Sequence, residues 1–412
     1  AYTRGDFHDD LQRVTGGRSD AELASILIDN SYDTVRWMRE HAGIPMEPAF
    51  SLGGIRVGNV VKWPKGAVIR AQHEGVGLSR AWFACAQGNG VDIRYGASAV
   101  ALLSDARGRV TGVEVRTDDG MEKLTAKAVI LACGGFEANA QWRAQYLGRP
   151  WDHAKVRGTA YNQGDGLRMA LSLGAMPWGQ WSGCHSTPIS NEWGAFADRA
   201  LTDKSNRLSY PFGVMINRRG LRFVDEGEDL QFFTYAKYGG IILNQPGSLA
   251  YQIFDQKTVH LLEGRYETSE PISAGTLEDL VRQLDIDDCP QALRTLNEYN
   301  EAACGDQGFD PSRKDGLATQ NLPINKSNWA LKLDRPPFVA YSATGGITFT
   351  FGGLKIDEHA RVIGTDWRPI PGLYTCGEMV GGLFHGNYPG GTGLVSGAVF
   401  GRIAGRNAAA ET

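Results

Sequence analysis

The chain has 412 residues, 42% apolar and 21% charged, with a formal net charge of −4 and a pI near 6.1. That length supports a sizeable core and about two domains, and the acidic balance argues against a nucleic-acid partner and offers no basic face to a membrane. The 53 glycines fall in short runs rather than a repeat, which points to tight turns and close backbone approach to a ligand.

Taken in chain order, AYTRGDFHDDLQRVTGG is polar and helix-like, and it begins at Ala1 without a methionine. Residues 20–43 place Leu23, Ile26, Leu27, Val35 and Met38 at helical spacing and close on a glycine. Residues 75–88 read as a second, shorter helix. The period then becomes that of strands: VDIRYGASAVALLSD predicts two extended pieces, and Val110, Val113 and Val115 alternate before an Asp119-Gly120 turn. Residues 128–133 form a buried-type run stopped by Gly134-Gly135. From about 182 to 342 the chain is richer in Asp, Lys, Arg and aromatics, with helical patterns in LEDLVRQLDID and CPQALRTLNEYNEAA. Strand-like ITFTFGGLKID and VIGTD follow, and then GLFHGNYPGGTGLVSGAVFGRIAG. The order predicts a first layer interrupted by an inserted domain and then resumed.

Cys85, Cys133, Cys184, Cys289, Cys304 and Cys376 lie far apart without a CxxC pair, so the pattern predicts free thiols, a reducing, cytoplasmic setting and no metal centre. The uncharged run 379–401 is broken by glycines and a proline, which excludes a transmembrane helix.

Four stretches carry chemistry. VILACGGFEAN ends a strand in Gly134-Gly135, either a tight turn or bare backbone against which a ligand can lie. Gly164-Asp165-Gly166 precedes an apolar helix, so Asp165 is a cap or a ligand-facing acid. In IPGLYTCGEMVGG a short strand delivers Glu378, a solvated loop acid or a hydroxyl-binding carboxylate. The last helix opens at Gly390-Gly391-Thr392-Gly393, where free amides and the positive end of the macrodipole can stabilise negative charge.

The joint order of these stretches resembles the family of FAD-dependent fumarate reductases, succinate dehydrogenase flavoproteins and 3-ketosteroid dehydrogenases, over essentially the whole chain. Within it, GDGLRMAL, INRRGLRFVDEGED, TYAKYG, GGITFTFGGLKID, PGLYTCGEMVGGLF and NYPGGTGL–SGAVFGRIAG are similar to FAD-dependent tricarballylate dehydrogenases. The resemblance implies an α/β fold: a Rossmann-like FAD-binding domain from residues 1–182 and 343–412, with an α+β capping domain inserted at 183–342. It implies that Glu378 binds the ribityl chain and that Asp165 and Gly166 contact the cofactor. Thr392, Gly393 and Leu394 would lie against the isoalloxazine, and Ala99, Ala132, Gly134 and Gly135 near the adenine half. The GxGxxG turn expected at the front of such a fold is absent, which predicts a fragment lacking at least ~30 residues.

The arginine proton donor expected after an RFVNE-like segment is also missing, and Tyr388 stands where a reductase keeps an arginine before its final Gly-Gly. The resemblance therefore implies oxidation of a small polycarboxylate, tricarballylate to cis-aconitate, with electrons leaving to a separate electron-transfer protein. Alternatives are a 3-ketosteroid-type dehydrogenase, a fumarate-reductase-like enzyme, or a non-catalytic, cofactor-free fragment. Desaturation beside a carbonyl or carboxylate needs an oxyanion donor and a proton acceptor. Tyr388 fits the donor, and Tyr235 or His385 the acceptor. His185 and the cations Arg157, Arg199, Arg207 and Arg222 are the candidate substrate ligands.

Overall fold

The computed structural model describes residues 2–49, 54–57, 59–63, 65–66, 68–303 and 305–411; Ala1 and Cys304, named above, lie outside them. Helix α1 (Arg4–Thr15) opens with a capping box: Thr3 Oγ1 accepts from the Asp6 amide, and the Asp6 carboxylate accepts from the Thr3 amide at 2.8 Å. Helix α2 (Ala21–Glu40) starts on Asp20, whose carboxylate accepts from the Glu22 and Leu23 amides. Leu23, Leu27 and Met38 are buried as their spacing predicts, while Ile26 and Val35 are half-buried. Helix α3 (Glu74–Gly88) buries no residue fully; Leu78, Trp82 and Cys85 rest half-covered on Met38 and Ile44.

Strands β1 (Ser98–Ser104), β2 (Val110–Thr117) and β3 (Gly120–Thr125) form an antiparallel meander, its last turn closed where Thr117 faces Gly120. Residues 91–94, expected to be extended, form no strand. Next come β4 (Val129–Leu131), helix α4 (Asp165–Ser172), β5 (Pro177–Ser190), β6 (Val214–Asn217), α5 (Gln231–Leu243) and β7 (Ala250–Phe254). Then follow α6 (Leu277–Gln283), α7 (Cys289–Ala302), β8 (Phe338–Leu354), β9 (Arg361–Ile363), β10 (Pro369–Thr375) and α8 (Thr392–Ala409). Strand β10 pairs in parallel with β4 and antiparallel with β9. The run 128–133 was expected to be buried, but β4 sits at the end of this sheet. Among the described residues it has no second partner, and Ile130 is 39% exposed.

The larger, six-stranded sheet has an antiparallel main path β5-β8-β7-β6; off it, Ile272–Ala274 pairs with β8 antiparallel and Lys155–Val156 pairs with β8 in parallel. Strands β5 and β8 are long enough to cross both expected domain boundaries: Pro177 faces Leu354 at one end and Ser190 faces Ala343 at the other. Val214, Ile216, Ile253, Leu280, Leu296 and Tyr299, all from the segment expected to be inserted, share one core cluster. Helix α5 lies backbone to backbone on this sheet. A Cβ on Gly239 would meet the Thr187 carbonyl at 2.4 Å, and one on Gly345 would meet the Gly239 carbonyl at 2.4 Å. That contact fixes the helix one turn after Tyr235, so the Tyr235 ring is aimed at the same strand.

Candidate active site

Four elements deliver one aromatic cluster. Strand β5 contributes His185, β8 contributes Phe349, α5 contributes Tyr235, and the turn before α8 contributes Tyr388. The His185 ring lies 5.0 Å from the rings of both tyrosines, edge to face, and stacks on Phe349 at 5.2 Å. The two tyrosine hydroxyls are in direct hydrogen-bond contact. The turn is laced to the backbone of α5: the Asn387 side-chain Nδ2 donates to the Phe233 carbonyl at 2.7 Å and the Gly390 amide to the Phe232 carbonyl at 3.0 Å. This lacing explains why Tyr388 meets Tyr235. A Cβ added to Gly393, at the start of α8, would lie 3.5 Å from the Phe349 ring and 3.7 Å from the Tyr388 ring.

Tyr235, Tyr388 and His185 are all buried, and His185 is wholly so. Neither His185 ring nitrogen has a hydrogen-bond partner. Burial, helped by the Arg157 charge, holds the His185 pKa well below its ordinary value, so the ring is neutral. Burial pushes both phenols up. The Tyr388 hydroxyl and Arg157 moderate this at Tyr235, whereas Tyr235 adds to it at Tyr388. Arg157 Nε donates to Thr348 Oγ1 at 3.0 Å, the residue preceding Phe349.

The other sequence candidates separate clearly. Arg207 is fully buried and donates to the Asn206 and Arg265 carbonyls and to Ser269 Oγ, which makes it a structural staple. Arg222 is paired with buried Glu226 and donates to the Ile324 carbonyl. Both were expected to bind substrate; their guanidinium groups bond to protein groups instead, apart from Arg207 Nε, which is buried without a partner. Arg199 is exposed. His385 turns to Arg18, with Nε2 3.2 Å from its guanidinium, so the lone pair meant for a substrate proton faces a cation. Its pKa is lowered by burial and by Arg18. That is a poor proton acceptor.

Around β4, Ala132 is exposed and Ala99 half-buried, while Gly135 is buried. Asp165 caps nothing: Gly164 is the N-cap, and Asp165 pairs with Arg168 at 3.2 Å on the surface. A Cβ on Gly166 would lie 2.9 Å from Cys133 and Met379, so this glycine serves helix-to-strand packing. Thr392 Oγ1 donates inward to the Pro389 carbonyl at 2.6 Å. Glu378 Oε1 accepts from the Thr350 amide at 2.7 Å.

The residues present fit the ring and ribityl parts of FAD. Leu394, 74% exposed, and Gly393 form a bare apolar start to α8, and no side chain caps that helix. The aromatic cluster lies on the inner side of Gly393 and the acid Glu378 at the end of β10. Sequence reading missed Phe349, hidden in the alternation of ITFTFGG, and Glu137, which follows Gly-Gly-Phe and reads as a solvated acid; it is 2% exposed.

Residues 4–395 match the model of the FAD binding domain. The chain is 30% identical over 405 residues to "Probable fumarate reductase Ifc3" of Shewanella frigidimarina, covering 96% of this chain and 63% of the relative. It is 27% identical over 358 residues to a 3-oxosteroid 1-dehydrogenase of Mycobacterium tuberculosis, covering 80% and 60%. Among solved structures, the open conformation of a flavocytochrome c3 fumarate reductase superposes with a TM-score of 0.74 at 25% identity, covering 100% of this chain and 68% of the other. The chain thus spans less than two thirds of these curated relatives.

Proposed function

We infer the reaction from one premise: the chain belongs to the FAD binding domain family, and its cofactor is FAD. On that premise the whole protein is proposed to be a flavin-dependent oxidoreductase acting on a C–C bond beside a carbonyl or carboxylate, in the dehydrogenating direction. The observation that carries this is the buried Tyr235–Tyr388 hydroxyl pair set against neutral His185 and Gly393.

FAD, when bound, supplies the hydride acceptor. The remaining work falls to side chains of this chain. Tyr388 is the donor to the oxygen that gains negative charge, since its phenol stays neutral and its ionisation is disfavoured by Tyr235. Tyr235 is proposed as the proton acceptor: burial raises its pKa, and the Tyr388 hydroxyl and the Arg157 charge offset part of that rise. The single N–H of neutral His185 has no partner in the protein and can donate to a substrate oxygen.

Of four arginines proposed for a polycarboxylate, Arg157 alone stands at this cluster, with Arg207 and Arg222 spent elsewhere. Support for a tricarboxylate is correspondingly thinner, and the substrate that fits best carries one ketone or carboxylate next to the reacting bond. Tricarballylate remains the member of that panel favoured by sequence resemblance. Among the described residues no cluster could hold a metal ion, and no helix is long and apolar enough to cross a membrane. As the sequence resemblance implies, electrons are proposed to leave to a separate electron-transfer protein. The test is dye-linked turnover of the FAD-loaded protein on tricarballylate, succinate and a 3-ketosteroid. Turnover of at least one, lost in Tyr388→Phe, supports the reading; activity indifferent to Tyr388 overturns it.

A further inference from the structure

Two acids that the reaction above leaves unused as a pair meet beside the turn after β4: Glu137, 2% exposed, on that turn, and half-buried Glu378 at the end of β10. Gly135 makes room for them: a Cβ there would lie 2.2 Å from both Glu378 Oε1 and Thr350 Oγ1. A Cβ on Gly134 would lie 2.7 Å from Asn162 Nδ2, the group that donates to Glu137 Oε1. The Gly-Gly pair read from sequence as a cofactor cradle is thus occupied, on its inner side, by protein carboxyl and amide groups. The Glu137 carboxyl lies in hydrogen-bond contact with that of Glu378, while its Oε2 is buried and receives no donor. Glu378 Oε1 accepts from the Thr350 amide, from Thr350 Oγ1 at 3.2 Å and from the Gly135 amide.

Two carboxylates in contact and out of water cannot both stay ionised unless a cation compensates them. One neighbour does so in part: the Arg143 charge favours ionisation of Glu137, but among the described residues no cation is bonded directly to either carboxyl. Arg143, from the helical turn Arg143–Leu147, spends its guanidinium on the carbonyls of Glu137, Trp151, Asp152 and Ala154. Cys184, from β5, is a buried thiol pushed up by burial and so uncharged. Asp165, at the start of α4, is exposed and paired with Arg168. Burial first, and then the charge of Glu137, raise Glu378 well above the ordinary carboxyl range; burial raises Glu137 too.

We propose that Glu137 is a positioning residue for Glu378, holding it through one proton shared between the two carboxyl groups. This rests on the reading of Glu378 as the acid that faces FAD. The pair then carries a single charge, and Glu378 keeps its orientation as long as the shared proton remains. Removing the proton at high pH sets two buried charges against each other and releases Glu378. Glu137→Gln keeps a donor toward Glu378 without titrating, and Glu137→Ala supplies none.

The test combines infrared spectra of the apo chain with FAD titration by fluorescence quenching from about pH 6 to about pH 9. The wild type is expected to show a buried protonated-carboxyl band that Glu137→Gln lacks. Its FAD dissociation constant is expected to rise at least about fivefold across that range, against less than about twofold in Glu137→Gln. Glu137→Ala is expected to bind about ten- to a hundredfold more weakly at neutral pH, the loss of one hydrogen bond to a charged group. A band absent from the wild type, or unchanged in Glu137→Gln, overturns the shared proton. Identical pH profiles in the two proteins overturn the positioning role. A band that behaves as expected in a chain that binds no FAD overturns the cofactor reading of Glu378 and leaves the shared proton standing.

Discussion

Tyr388 and Tyr235 are the same side chain in unequal surroundings, and the difference assigns their roles. Tyr388→Phe removes the donor to a developing oxyanion, so kcat is expected to fall about 10²- to 10³-fold with KM little changed in steady-state assays. Tyr235 sits above its ordinary pKa, chiefly through burial. Its phenolate therefore forms only at alkaline pH, and kcat/KM is expected to rise about tenfold per unit from about pH 7 to about pH 9, with the slope lost in Tyr235→Phe. The arginines divide in the same local way. Arg222 and Glu226 have side chains 6% and 0% exposed, so Arg222→Met strands a buried carboxylate and should cost about 3–5 kcal/mol in urea unfolding. Arg157→Met, at the cluster, should raise KM for a carboxylate substrate instead.

Elements decide where these side chains meet, and here legibility in the sequence was uneven. Helices α1, α2, α7 and α8 were readable because caps, apolar spacing and closing glycines are local signals. The exposure of Ile130 was not, because burial of a short apolar strand depends on which strands flank it. For the same reason Arg207 and Arg222 looked like free cations: their partners, the Arg265 carbonyl and the packed Ile324 segment, lie 58 and 102 residues away. Tyr388 was legible from its place before Gly390-Gly391, whereas its contact with Tyr235 required α5 to be seen lying on β5. Gly239 makes that approach possible, with a Cβ 2.4 Å from the Thr187 carbonyl. Gly239→Ala is expected to lift α5, separate Tyr235 from His185 and lower kcat as well as the urea midpoint. A helix-start substitution tests a separate point: Gly391 has φ +86°, so Gly391→Ala should cost about 1–2 kcal/mol, read as a shift in unfolding free energy.

At the scale of the whole molecule, β5 and β8 pair from Pro177 opposite Leu354 to Ser190 opposite Ala343, with register shifts between Gly179 and Cys184 and between His185 and Ser186. The segment proposed as inserted therefore shares a ladder with the rest of the chain. His185 and Phe349 lie on that ladder. Global stability should also report the acid pair. Both carboxyls are raised in the folded state, so their contribution is fully present below about pH 4 and is lost as pH rises through their folded values. The wild-type advantage over Glu137→Gln in urea should therefore shrink from acid to neutral pH; a growing advantage would contradict the sign. The central claim is that one buried tyrosine pair activates a C–C bond for hydride transfer to FAD. Its most direct test is anaerobic mixing of the FAD-loaded wild type and Tyr388→Phe with the saturated substrate panel, following flavin absorbance. The account predicts bleaching of the wild type by at least one carbonyl- or carboxylate-bearing compound, slowed about 10²-fold or more in Tyr388→Phe. No bleaching by any of them, or equal rates in the two proteins, would contradict it.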